Sequence, residues 1–141
     1  YLFLIFQDRT KIVIFSAAKS LGGDFSGRIT FHDVFINEGN GMDGNSGIFT
    51  SPENGYYLFG FKAATSLNSK DWTRVKVYLN DEFTFQISDG NSADIWNNIA
   101  ATWVWGLAKG STVRLKVDHH KLDASGEMVI FWGLRISDNP A

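Results

Sequence analysis

Residues 29–61 read ITFHDVFINEGNGMDGNSGIFTSPENGYYLFGF. Two short apolar runs, Ile29 to Phe31 and Val34 to Asn37, lead into a cluster of Gly, Asn and Asp. These residue types tolerate positive φ and mark turns. The compact unit Gly47-Ile48-Phe49-Thr50-Ser51-Pro52 then runs through Gly55 into Tyr56-Tyr57-Leu58-Phe59-Gly60-Phe61. A Pro followed by a Gly between two apolar runs predicts a turn between strands. The stretch carries no catalytic constellation, so the first expectation is a binding module, not an enzyme.

The same pattern extends outward in both directions. Ile12 to Ala17 is a β-branched run, and Arg74 to Leu79 alternates strictly, with Val75, Val77 and Leu79 on one face. Asn80-Asp81 predicts a hairpin turn into Phe83 to Ile87, followed by a polar loop from Ser88 to Asp94. Further strands are expected at Ala100 to Leu107, Thr112 to Val117 and Met128 to Ile136. No stretch of ten or more residues keeps a helical period, and Asp94 to Ala101 comes nearest. Roughly 8–10 strands at intervals of about 8–15 residues imply an all-β antiparallel sandwich or jelly roll.

A chain of 141 residues is one ordinary domain. With 44% hydrophobic and 15% aromatic residues against only 2 prolines, it has the composition of a packed core. The formal net charge is -2 and no basic block occurs, which gives no support for nucleic acid or an anionic membrane as partner. The absence of cysteine excludes disulfides and Cys-based zinc. The run Tyr1 to Phe6 is too short to span a bilayer. It reads either as the tail of a secretory signal or as a strand or arm that packs on a partner. No Asn-x-Ser/Thr sequon is present. The expected organisation is an N-terminal extension over 1–11, the domain over 12–137 and a short tail over 138–141.

The spacing of Phe31, Val34, Asn37, Gly39, Asp43, Gly47, Phe49, Thr50, Pro52, Gly55, Tyr57, Phe59 and Phe61 resembles the C1q globular head, within the wider C1q and tumour-necrosis-factor-like jelly rolls. Phe15-Ser16-Ala17 looks like that family's first strand. Leu107 to Val113 looks like its Leu-x-x-Gly-Asp-x-Val turn, with Ser111 replacing the acidic residue. Phe131-Trp132-Gly133-Leu134 looks like the closing strand, with Trp132 replacing a serine. The resemblance covers about Ile12 to Ile136 and implies a jelly roll of about ten strands that assembles as a homotrimer around an apolar axis. It further implies a secreted, non-enzymatic recognition module binding glycans, microbial surface components or protein ligands. A receptor-binding signalling or synaptic-organiser ligand, and a trimerisation domain of a longer structural protein, are the other readings.

The candidate residues are few. No Gly-x-Ser-x-Gly elbow, P-loop or His-Glu-x-x-His motif occurs. His119 and His120 are adjacent, and strand neighbours point to opposite faces, so the pair is expected to be solvated and unable to grip one metal. Asp89, Asn91, Asp94 and Asn97 offer the hard oxygen ligands calcium uses. The resemblance makes Asp89 and Asn97 the nearest matches to family calcium ligands, with Asp94 between them, and a solvated turn is the plainer reading. Trp103 and Trp105 share one face of a strand and are expected in the core or along the trimer axis. Trp72 and Trp96 lie beside polar stretches and are the candidates for stacking on a sugar or anchoring a protein.

Overall fold

The computed structural model describes residues 11–66, 72–89, 97–125 and 129–138. Among the described residues eleven strands run β1 (Ile14–Lys19), β2 (Asp24–Arg28), β3 (Asp33–Glu38), β4 (Met42–Asp43), β5 (Ile48–Thr50), β6 (Gly55–Thr65), β7 (Thr73–Leu79), β8 (Glu82–Asp89), β9 (Asn98–Leu107), β10 (Thr112–Asp123) and β11 (Val129–Ser137). No helix occurs among the described residues. Every pairing is antiparallel. One layer has the order β3-β1-β11-β6-β9 and the other β4-β5-β10-β7-β8, with β2 also on β10. The long strands β6 and β10 meet at Thr65–Leu122 and Ala64–Asp123, which joins the layers at one end.

Strand alternation decides what each layer buries. Phe15, Gly133, Phe59 and Trp103 stand in register across β1, β11, β6 and β9 and point inward. Their rings meet Phe49 of β5 and Phe85 of β8 from the opposite layer, with Phe15–Phe49 centroids 4.7 Å apart and Phe85–Trp103 5.1 Å apart. Val75, Val77, Val113, Leu115 and Val117 close the core from the second layer. Gly133 leaves the space that the Phe15 and Phe59 rings occupy: a Cβ there would lie 2.6 Å and 2.8 Å from them.

The expected strands are present, several of them longer than the sequence pattern marked. The Asn80-Asp81 hairpin turn has both residues at positive φ, 51° and 63°, as a two-residue primed turn requires. Three features differ. Ile29 to Phe31 is not a strand; Ile29 N donates to Leu115 O and Phe31 N to Gly44 O, while both side chains are buried. β2 and β4 were not expected, because β2 is polar with Gly27 at positive φ and β4 is only two residues long. Lastly, His119 and His120 do not diverge. Pairing shifts after Val117 and His120 has φ 55°, so the backbone irregularity brings the two rings edge-to-face at 4.5 Å.

Candidate functional site

The segment that decides the fold builds scaffold. The Asn37 amide closes a loop by donating to Met42 O at 2.9 Å and accepting from Met42 N at 3.0 Å. Asp43 Oδ1 accepts from Asn45 N. Buried Ser51 donates to Ala108 O at 2.7 Å and accepts from Ser111 N at 3.1 Å, tying the turn after β5 to the β9–β10 turn. The Tyr57 hydroxyl donates to Glu53 O at 2.7 Å, and burial pushes its pKa up. These groups are occupied in holding turns.

The candidate ligand residues divide. Asp89 ends β8 and Asn97 immediately precedes β9, at either end of the connection over 90–96. Asn97 is anchored by its backbone, with its N donating to Thr65 Oγ1 at 3.1 Å and its O accepting from Thr65 N at 2.8 Å. Asp94 and Trp96 lie outside the described residues. Among the described residues no group of three or more His, Asp or Glu side chains could hold a metal ion. Trp72 is half-buried; its ring stacks on His119 at 3.8 Å, and the Arg74 guanidinium lies 5.1 Å from its centroid. Trp103 and Trp105 face the core beside Phe59 and Phe85.

The outer faces of the two layers contrast. On β3-β1-β11-β6-β9 the outward row Ile14–Leu134–Leu58–Val104 runs across four strands. Beside it lie Ile36 and Trp132, whose indole covers Gly60 in the space a Cβ would need. Val104 is 54% exposed, Ile36 46% and Ile14 37%. A recess of about 410 Å³ opens beside Trp132, walled by Lys62, Ala100 and Thr102. A second, of about 470 Å³, lies at the β1–β11 end between Ile12 and Ile136. The row and the two recesses make the outer surface of this layer largely apolar.

The outer face of β10-β7-β8 is charged and aromatic. Arg74 grips Asp118 with two hydrogen bonds, Nε to Oδ1 at 2.7 Å and Nη2 to Oδ2 at 2.9 Å. Lys76 Nζ reaches Asp118 Oδ2 at 3.0 Å. Burial pushes the Asp118 carboxyl upward, but hydrogen bonds and charge from Arg74 and Lys76 outweigh it and hold the group below the usual carboxylate value. A depressed pKa stabilises the fold above the unfolded value and is lost as pH falls through the folded one. The stability gap between wild type and Asp118→Asn should therefore be constant above about pH 5 and close below about pH 4, read by urea unfolding across pH. A gap that stays constant to pH 2–3 (roughly) contradicts this coupling. Sequence inspection missed this cluster, because its members lie on separate strands that alternate with core valines.

A C1q domain model matches residues 14–134. Among solved structures the chain is similar to the globular domain of zebrafish complement 1qA protein, at 19% identity and TM-score 0.72, covering 90% of this chain and 98% of that one. It is also similar to murine APRIL at pH 5.0, with 14% identity, TM-score 0.71 and coverage of 89% and 100%. Eiger TNF from S. frugiperda matches at 12% identity and TM-score 0.69, covering 93% and 96%. The two-layer all-β fold, its outward apolar face and a family match over most of its length place the chain in the C1q domain family, whose members are non-enzymatic ligand-binding modules.

Proposed function

We propose that this chain is a secreted, homotrimeric recognition head that binds glycans, microbial surface components or protein ligands through surfaces left free by assembly. The observation that carries this reading is the apolar outer face of β3-β1-β11-β6-β9. Its exposed Ile14, Ile36 and Val104 lie in and beside the outward Leu134–Leu58 row, so apolar side chains from five strands adjoin on one outward face. A three-fold ring buries such a face while leaving the loops and the opposite layer free. C1q and tumour-necrosis-factor-like domains commonly form trimers and bind protein ligands, which agrees with this arrangement. Three linked sites raise a weak single-site affinity through effective concentration.

Calcium at Asp89, Asp94 and Asn97 is the finer part of the reading. It is supported by oxygen ligands at both ends of the 90–96 connection. The test is an array of glycans and microbial polysaccharides, probed with calcium and again with chelator. The trimer should bind at least one polysaccharide class, with competition by the free polymer and an avidity gain of about 10²-fold or more over single heads. A trimer that binds no member of the array contradicts the glycan reading. Equal binding and equal thermal stability in chelator contradict the calcium part.

A further inference from the structure

Lys76, Lys116 and Arg28 occupy directly opposed positions on three neighbouring strands, β7, β10 and β2. Opposed residues point to the same side of a sheet about 5 Å apart, and like charges placed so repel. Lys76 is held by Asp118 at 3.0 Å. Among the described residues no carboxylate pairs with Lys116 or Arg28, and both are exposed. Two residues from the row, Arg74 and Arg114 extend the patch along β7 and β10. The neighbouring carboxylates are Asp118 on β10, Asp81 in the β7–β8 turn and Glu82 at the start of β8, and the Asp24–Asp123 pair lies at the far end of the β2–β10 ladder. The row thus sets Arg28, Lys116 and Lys76 side by side, and Asp118 is the carboxylate in contact with it among the described residues. Positive charge is concentrated on this face at a cost to the free domain that an anion would relieve.

Lys76, Arg114 and Arg74 are also held in place. Lys76 Nζ lies 4.9 Å from the Phe83 ring centroid, Arg114 4.1 Å from that of Tyr78 and Arg74 5.1 Å from that of Trp72. Rings that restrain long side chains lower the ordering cost of binding. Phe83 is itself 51% exposed and offers an apolar platform beside the charged row. The row spans two strand spacings, about 10 Å, enough for two or three anionic groups. That footprint is too short for the continuous phosphate ladder of a duplex, and a single exposed ring is a poor anchor in a lipid surface.

We infer that the outer face of β2-β10-β7-β8 binds an anionic polysaccharide, with its sulfate or carboxylate groups on the Arg28–Lys116–Lys76 row and a sugar ring against Phe83. The inference rests on the reading of the chain as a recognition head. This face belongs to the layer opposite the apolar one, so a trimer built on the apolar face presents three such patches outward.

The probe is dextran sulfate, with uncharged dextran as control, titrated against the full chain by calorimetry while light scattering reads its mass. Wild type should bind dextran sulfate and not dextran, with affinity falling steeply between about 50 mM and about 200 mM salt. The double substitution Arg28→Glu and Lys116→Glu should weaken binding about tenfold or more and flatten the salt slope by about 2. Lys109→Glu, an equal kind of charge change in the β9–β10 turn, should alter it less than about twofold. Asp118→Asn, which removes the patch's central carboxylate, should strengthen binding by about twofold or more. No binding by wild type at low salt, or equal binding by the double variant, overturns the inference. Tighter binding to duplex DNA or to phosphatidylserine vesicles than to dextran sulfate at the same salt overturns the polysaccharide assignment. A trimeric mass without dextran sulfate binding overturns this site alone. A monomeric mass with binding that the double variant abolishes overturns trimeric assembly and upholds the site.

Discussion

Phe59→Ala should lower the free energy of unfolding by about 3–5 kcal/mol. Phe59 is fully buried at the middle of β6, and its ring contacts those of Phe15, Phe49, Trp103, Trp105 and Phe131 within 6.3 Å. Strands β1, β5, β9 and β11 therefore all place an aromatic ring against this one side chain. Truncation removes apolar area from the core and leaves a cavity whose walls belong to both layers and can collapse only partly. For a domain of this size the loss corresponds to a fall in Tm of roughly 10–15 °C. Phe83→Ala is the control, since that ring is half-exposed on the outer face and should cost about 1 kcal/mol or less. Comparable losses at the two positions, measured by thermal and denaturant unfolding, would contradict the assignment of Phe59 as the centre of the core.

Val104→Glu should leave the fold of the single head intact and abolish its assembly. Val104 is 54% exposed on β9, so a glutamate there remains solvated in the isolated domain and should change its stability by about 0.5 kcal/mol or less. In a closed trimer the same carboxylate enters an apolar interface once per subunit. Each unpaired charge then costs several kcal/mol (roughly). The expected result is a monomeric mass at micromolar concentration with an unchanged far-ultraviolet spectrum, while Val104→Ile keeps the assembled mass. A Val104→Glu protein that assembles like wild type would show that this face is not the interface.

Strands with strict alternation were legible in the sequence because one face of each is buried. Val75, Val77, Val113, Leu115 and Val117 are core residues, and period two reports burial directly. Turn chemistry was legible for the same local reason at Asn80-Asp81 and around Pro52. Ile29 to Phe31 misled, because an apolar run reports burial and not pairing, and Ile29 and Phe31 are buried without joining a strand. The adjacency of the His119 and His120 rings depends on a pairing shift that alternation cannot foresee.

The two outer faces were not legible. Leu58, Val104 and Leu134 are spread over most of the chain length and become one apolar row only through strand order. Arg28, Lys76 and Lys116 form no basic run in sequence, yet the register of β2, β7 and β10 sets them side by side. The linear chain carries no basic block, and the cations come together only through strand register. The strongly patterned segment 29–61 proved to be scaffold: Asn37, Ser51 and Tyr57 spend their polar groups on turns.

The apolar layer of this sandwich is proposed to meet copies of itself. Sedimentation equilibrium of the wild-type chain at micromolar concentration should then give three copies of the 15.8 kDa chain, about 47 kDa. A single species at 15.8 kDa across that range would contradict it.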